Sequence, residues 1–169
     1  MTPAQMVAMV RRFISDEQAT GFSTGGNMEQ PEGTQELLTY LDRAVDDYSK
    51  RQAALGDVRL LKTITGSSGT MLPPDFLMLC GTVPVSVEGR VLRYYDDEGT
   101  MPYMPVRYFA RLPYVTDYGD TQNIPYQRDQ EMSICALAAI YALNKHEFNV
   151  SQDLMLLGYG AVNNANAEQ

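Results

Sequence analysis

The feature that most restricts the fold of this chain is a run of ten mostly apolar residues, Ile134 to Leu143. The run is apolar on every side of a helix, whereas a surface helix keeps one polar face. It is only about half as long as a membrane-spanning helix has to be. We therefore predict a helix over Gln127 to Lys145 that lies in the centre of a packed core.

Three further segments carry the sequence signals of helices. Thr2 and Gln5 form a capping-box pattern around a proline, and Thr34 is predicted to cap a helix with one apolar stripe. Gly158 is expected to loosen the end of the last helix, because glycine is a poor helix former. The predicted spans are Pro3 to Asp16, Thr34 to Ala53 and Ser151 to Leu157.

Between the second and third helices the apolar pattern changes to the alternation that is typical of strands. Val58 to Ile64 and Val106 to Leu112 alternate, and Glu88-Gly89 separates two short runs that predict a hairpin. Thr70 to Leu72 is predicted to return beside the first strand. The double proline of "LPPD", Leu72 to Asp75, then ends that strand in a tight turn, because proline removes a backbone donor.

The order of these elements predicts an α+β protein. Its N- and C-terminal segments would form a four-helix bundle, with an inserted β-module of short antiparallel strands. Phe76, Leu77 and Leu79 would anchor the module on the bundle. We expect one domain over residues 1–169, with helices in 1–55 and 127–157, a β-insertion over about 57–126, and a flexible C-terminal tail, 158–169.

Composition and charge narrow the range of functions. Hydrophobic residues make up 44% and charged residues 20% of 169, which is typical of a folded globular protein. The net charge is −8 and no basic stretch is visible, so specific nucleic-acid binding is not expected. Cys80 and Cys135 are too few for a disulfide framework and suit a reducing cytoplasm.

No residue pattern predicts catalysis, a metal or a cofactor. The turn Gly66 to Gly69 lacks the lysine of a phosphate-binding loop, and His146 with two separated cysteines cannot build a usual zinc site. Asp96 to Glu98 lacks the alternating ligands of a calcium loop, so a solvated turn is favoured. Asp117 and Asp120 could be imagined as a glycosidase pair, but such pairs are common in acidic chains. We therefore predict an interaction protein that is not an enzyme.

Five stretches of the chain share the layout of a known protein family. They are the capped opening helix, "GTQELLTYLDRAVDDY", "GTMLPPDFLML" after a strand, the "EGRVLRYYD" hairpin, and "IPYQRDQEMSICALAAIYAL" leading into the long third helix. In these the chain resembles the head-to-tail adaptor (head-completion or connector) proteins of short-tailed bacteriophages. The resemblance covers most of the chain and consists of a layout with one modest motif.

The resemblance implies a virion structural protein. Such a subunit would be made in the host bacterial cytoplasm and would dock on the portal protein as a homo-oligomeric ring, expected to be twelvefold. The ring would extend the DNA channel and carry the tail nozzle or other tail proteins. Double-stranded DNA would pass without specific binding, which a negative charge favours, and no membrane would be involved. The resemblance assigns portal binding to the C-terminal segment, with Tyr159, Val162, Asn163 and Asn164 as contact residues.

The main alternative is a small acidic binding protein of the cytoplasm, such as a secretion chaperone. A chaperone should be a dimer with an exposed apolar groove, whereas an adaptor should be monomeric until it meets a portal. A cell-wall hydrolase is a third interpretation, and the sequence lacks the polar constellation that its chemistry requires.

Overall fold

The computed structural model describes residues 1–15, 33–82, 84–94, 103–115, 117–145, 154–155 and 157–159. Within these residues the chain is a mixed α+β protein, as predicted. The helices are α1 (Pro3–Phe13), α2 (Thr34–Ala54) and α3 (Arg128–Lys145). The strands are β1 (Leu61–Gly66), β2 (Phe76–Leu79), β3 (Val85–Glu88), β4 (Val91–Tyr94) and β5 (Met104–Ala110).

The chain divides into two compact units. The first, which we call the helical unit, comprises Met1–Tyr48 and Pro113–Gln169, and the second, the β unit, comprises Ser49–Leu112. The β unit is thus shorter at its C-terminal end than the predicted insertion, 57–126, because the irregular segment from Pro113 belongs to the helical unit. The described residues from Pro113 to Tyr126 form neither helix nor strand.

Helix α1 begins with the predicted capping box. The Thr2 hydroxyl accepts a hydrogen bond from the Gln5 backbone N–H at 3.3 Å, and the Gln5 side chain accepts from the Thr2 N–H at 2.9 Å. Pro3 occupies the first helical position, where its missing donor costs nothing. The helix ends at Phe13 and not at Asp16, because Ser15 takes a left-handed φ of 59°.

Helix α2 follows the predicted apolar stripe but not the predicted cap. The Gly33 carbonyl accepts the first helical hydrogen bond, from the Leu37 N–H at 3.0 Å, so Gly33 is the N-cap and Thr34 the first helical residue. Gly56, with a φ of 77°, follows the C-terminal end, as its sequence position predicts. The stripe consists of Leu37, Leu38, Leu41, Ala44, Val45 and Tyr48, all of which are buried.

Helix α3 is the buried centre of the helical unit, as its all-apolar sequence predicts. Every residue from Ile134 to Leu143 except Tyr141 is buried. Helix α1 packs on α3, and the Cys135 thiol lies 3.8 Å from the Met6 carbonyl. The Gln130 side chain accepts a hydrogen bond from the Gln127 N–H at 2.9 Å, which satisfies a backbone donor at the start of the helix.

The predicted fourth helix is described only in part. Leu154, Met155 and residues 157–159 are helical, and Leu154 and Gly158 are buried. The predicted cap, Ser151, lies outside the described residues.

The β unit contains a three-stranded antiparallel sheet, ordered β1-β5-β2, and the separate hairpin β3-β4. The predicted hairpin is confirmed, and its turn places Gly89 at a φ of 64°, which glycine adopts without strain. The predicted first strand begins three residues late. Val58–Leu60 forms a turn of 3-10 helix that Asp57 caps by accepting from the Arg59 N–H at 2.9 Å.

The predicted return of Thr70 to Leu72 beside the first strand is wrong. The Leu72 N–H donates to the Arg90 carbonyl at 2.8 Å, and the Leu92 N–H donates to the Thr70 carbonyl at 2.9 Å. This segment therefore lies beside the hairpin, where Leu72 and Leu92 are buried in one cluster, and β1 pairs with β5 instead.

The sheet of the β unit has an apolar cluster on each face. Val106 of β5 lies in a cluster with the hairpin, whereas Phe109 lies in a second cluster with Ala53 and Leu60. An odd spacing along a strand places two residues on opposite faces, so the two clusters cover opposite sides of the sheet. The predicted anchors Phe76 and Leu79 pack against the first cluster and Leu77 against the second.

Candidate interaction surfaces

The "LPPD" stretch forms a turn whose aspartate bonds to two strands of the sheet of the β unit. The Phe76 N–H donates to the Pro73 carbonyl at 3.1 Å, which confirms the predicted tight turn. The Asp75 carboxylate accepts from Lys62 of β1 at 2.5 Å and from the Tyr108 hydroxyl of β5 at 3.3 Å. One carboxylate at the start of β2 thus contacts the two strands that pair with each other beside it.

The contacts of Tyr108 indicate that this turn has a structural role within the β unit. The Phe76 and Tyr108 rings stack with centroids 5.5 Å apart. Burial raises the pKa of the Tyr108 hydroxyl, and the neighbouring Asp75 charge raises it further. A neutral hydroxyl that donates to a carboxylate stabilises the fold, and all of these contacts stay inside the β unit.

Acidic side chains of α2 hold the irregular segment and α3 in the helical unit. Asp46 and Asp47 precede Lys50 and Arg51 by four residues, a spacing that favours ion pairs along one helix. Both carboxylates accept hydrogen bonds from tyrosines distant in sequence. The bonds are Val115 N–H to Asp42 (2.8 Å), Tyr114 hydroxyl to Asp46 (2.9 Å), Tyr141 hydroxyl to Asp47 (2.6 Å) and Lys145 ammonium to Glu36 (2.6 Å). Part of the acidity of α2 is therefore structural.

Charge contacts at the end of α3 shift two ionisation equilibria. The hydrogen bond to Glu36 raises the pKa of Lys145, and Tyr40 contributes in the same direction. Burial raises the pKa of Tyr40, and its hydrogen bond to Glu36 adds to the effect. With these raised pKa values, Lys145 is charged and Tyr40 is neutral at ordinary pH.

Neither cysteine position suggests an activated nucleophile. Cys135 is fully buried, and burial, followed by the charge of Glu131, raises the pKa of its thiol to about 12. A thiol with such a pKa is protonated near neutral pH and reacts slowly. Cys80 is half-buried and packs against the apolar cluster around Phe109.

The acidic residues considered for chemistry have local structural roles where the structure describes them. Asp117 accepts from the Gly119 N–H, and Asp120 from the Gln122 N–H, each at 2.9 Å, so both carboxylates close their own turns. His146 and Asp96 to Glu98 lie outside the described residues. Among the described residues, no group of three or more histidine, cysteine and acidic side chains could hold a metal.

The described end of the chain is packed more closely than its glycines suggest. A Cβ at Gly158 would lie 2.7 Å from Ile140 Cδ1 and 3.4 Å from Leu137 Cδ2. Gly158 therefore permits a close approach to α3, a role that was not predicted from the sequence. Tyr159 is helical and half-buried, whereas Val162, Asn163 and Asn164 lie outside the described residues.

Charge is divided unequally between the two units, which the net charge of the chain conceals. The helical unit contains five Lys or Arg and fifteen Asp or Glu residues, a net charge of −10. The β unit contains eight Lys or Arg and six Asp or Glu residues, a net charge of +2. The sequence itself shows this charge difference, because basic residues are concentrated between positions 50 and 111.

No described helix is both long and apolar enough to cross a bilayer. Comparison with models of known protein families gives no match, and comparison with curated protein sequences gives no significant match either.

Proposed function

We propose that this protein is a head-to-tail adaptor of a short-tailed bacteriophage. In this proposal it is a structural protein of the virion that is made in the host cytoplasm. It docks on the portal as a ring, extends the DNA channel and provides the platform for the tail. It acts by assembly and carries out no catalysis. The sequence layout, from the capped first helix to the apolar third helix, motivates the assignment.

The proposed architecture is a four-helix bundle into which the β unit is inserted. Three observations within the helical unit support it. Helix α1 packs on α3, the Tyr141 hydroxyl links α3 to Asp47 of α2, and the helical residues around Gly158 pack on α3. The helix that contains Leu154 and Gly158 would be the fourth member of the bundle.

The observation that best supports portal binding is the anchoring of the chain just before its last ten residues. Gly158 fits closely against Ile140 and Leu137, so the helical residues just before the C-terminal segment are held against α3. The residues that follow Tyr159 are mostly small or polar and include Val162, Asn163 and Asn164. Such a segment can order against a partner, and repetition around a ring multiplies a weak contact.

Negative charge is compatible with a channel for DNA. Each subunit carries a net charge of −8, so a ring of subunits would have a strongly negative field. DNA in such a channel is repelled from the wall and can slide, because contacts to its phosphates are disfavoured.

The test is a truncation that removes the C-terminal segment and preserves its anchor. A chain that ends at Tyr159 keeps Gly158 in place and should melt within a few degrees of the full chain. It should no longer decorate portal rings of the same phage in sedimentation or negative-stain images. A chain that lacks only residues 167–169 is the control and should bind portals normally.

Two results would contradict the proposal. If the chain ending at Tyr159 bound portals at full occupancy, the C-terminal segment would not be the contact. If the full chain did not bind portals and sedimented as a stable dimer, the chaperone alternative would be favoured.

A further inference from the structure

The β unit has a surplus of positive charge over the residues that the structure describes. Its three described acidic residues each pair with a basic neighbour. The pairs are Asp57 with Arg59 (2.8 Å), Asp75 with Lys62 (2.5 Å) and Glu88 with Arg93 (3.5 Å). The other basic residues of the unit are Lys50, Arg51, Arg90, Arg107 and Arg111.

One face of the sheet places a basic side chain among exposed residues. Arg107 lies on the central strand β5, opposite Thr63 of β1, and both residues are exposed. Phe109 lies on the same face two residues further along, and Ala53 and Leu60 cover it. The face is thus covered at one end and open around Arg107. We call the open part, formed by Thr63, Thr65, Pro105 and Arg107, the Arg107 face.

The helical unit offers a surface of opposite charge. Asp117 and Asp120 are exposed on consecutive turns of the irregular segment. The hydrogen bonds of Val115 to Asp42 and of Tyr114 to Asp46 hold the start of this segment against α2. We call these two exposed aspartates, Asp117 and Asp120, the Asp117 surface.

We propose that the Arg107 face of one copy binds the Asp117 surface of a second copy. The two surfaces differ, so the contact is heterologous, and repeating it produces a closed ring or an open filament. Closure into a ring rests on the proposed function, whereas the contact itself can be tested without a portal. Charge favours a second copy as the partner, because it brings a unit of net charge −10 to a unit of net charge +2.

A contact of this kind is weak for an isolated pair of copies. Exposed ion pairs contribute little individually, and salt screens them over about 10 Å at 0.1 M. Free copies should therefore be mostly monomeric at ordinary salt and associate when they are held side by side. DNA is the less favoured occupant, because the −10 of the helical unit repels phosphates.

Sedimentation velocity of the full chain at low and high salt tests the contact. The wild-type protein should associate with increasing concentration at low salt and return to monomer at about 0.5 M salt, where screening is strong. Arg107→Glu should abolish the association, and Asp117→Arg should weaken it at least several-fold. Arg90→Glu at the hairpin turn makes the same change of charge outside the Arg107 face and should leave association unchanged. All variants should melt near the wild-type temperature, since the three residues are exposed.

Mixing two variants provides a sharper test. Arg107→Glu and Asp117→Arg chains fail to associate separately, but a one-to-one mixture should associate again. The unchanged Arg107 face of the second variant can bind the unchanged Asp117 surface of the first, and the two exchanged charges are complementary as well. Full association of Arg107→Glu, no recovery in the mixture, or an equal loss with Arg90→Glu would overturn the proposal. So would salt-sensitive binding of a short DNA duplex that depends on Arg107 while self-association does not. Association without portal binding would support this contact and count against the proposed function.

Discussion

The two units of this protein are stabilised by different kinds of contact. In the helical unit, side chains of α2 reach segments about 70 to 110 residues away, as in the bonds from Tyr114 to Asp46 and from Lys145 to Glu36. In the β unit, most polar side-chain contacts span shorter separations, such as Arg59 to Asp57 and Lys62 to Asp75. The longest is the bond from the Leu112 N–H to the Ser49 hydroxyl, which spans 63 residues. A buried all-apolar helix forms the centre of the first unit, and a sheet with two small apolar clusters forms the second.

This difference predicts where each unit is vulnerable. Burial of one continuous helix concentrates the stability of the helical unit in a few side chains. Partly exposed turns and small clusters distribute the stability of the β unit over many weaker contacts. Single substitutions should therefore have larger effects in α3 than in the turns of the β unit.

The largest effect is expected for Leu137→Asp in α3. Leu137 is 1% exposed, so the new carboxylate would be buried without a partner. We expect a loss of about 4 kcal/mol in the free energy of unfolding, enough to abolish soluble expression. The matched control is Leu55→Asp, since Leu55 is 48% exposed, and it should change the melting temperature by only a few degrees. If Leu137→Asp melted as the control does, α3 would not be the centre of the core.

The position of α3 was predictable from sequence because periodicity is a local property. The same holds for the capping box at Thr2 and the hairpin turn at Gly89, where residue types restrict the nearby backbone. The partner of a strand is not local. Thr70 to Leu72 can pair with either of two neighbours at similar local cost, and the burial of Leu72 beside Leu92 decides between them.

The second prediction concerns the close contact of Gly158 with α3. Gly158→Ala introduces a Cβ that would lie 2.7 Å from Ile140 Cδ1, and Ile140 is 1% exposed and has little room to move. Overpacking costs about 1–3 kcal/mol, and better helix propensity returns about 1 kcal/mol. We expect a net loss of up to about 2 kcal/mol in urea unfolding.

A double-mutant cycle separates the two opposing effects. Ile140→Val removes the methyl group that the new Cβ would meet. In that background Gly158→Ala should be neutral or stabilising, because only the gain in helix propensity is left. An equal loss of stability in both backgrounds would mean that Gly158 is not a close-packing residue.

Gly158 also shows why the candidate surfaces were only partly predictable. Glycine in a helical pattern can weaken the helix or permit a close approach, and the sequence alone does not distinguish these roles. The bonds from Tyr114 and Tyr141 to α2 were missed for a similar reason, since helical spacing offered nearby basic partners for the same aspartates. The charge difference between the units was visible, but only once their boundaries at Tyr48 and Leu112 were known.

A smaller effect is expected at the turn of the β unit. Asp75→Ala removes the acceptor of both Lys62 and the Tyr108 hydroxyl. Lys62 is well exposed, so its ion pair contributes little, and the hydrogen bond of Tyr108 contributes about 1 kcal/mol. We expect a loss of about 1 kcal/mol in urea unfolding. Asp75→Asn keeps an oxygen for Tyr108 and should lose less than half as much; equal losses would show that the charge, and not the hydrogen bond, matters.

The smallest effect is a pH dependence at the start of the 3-10 helix. The hydrogen bond from Arg59 holds the pKa of Asp57 below its usual value near 3.8. A lowered pKa means that the contribution to stability is complete above the unfolded pKa and is lost as the pH falls through the folded pKa. Asp57→Asn keeps the cap to the Arg59 N–H and loses the charge, so its cost at pH 7 should be under about 1 kcal/mol. That cost should disappear as the pH falls below the usual value of 3.8 and through the lowered pKa of Asp57. In an Arg59→Gln background the same substitution should show almost no pH dependence; if the dependence persisted there, another charge would be responsible.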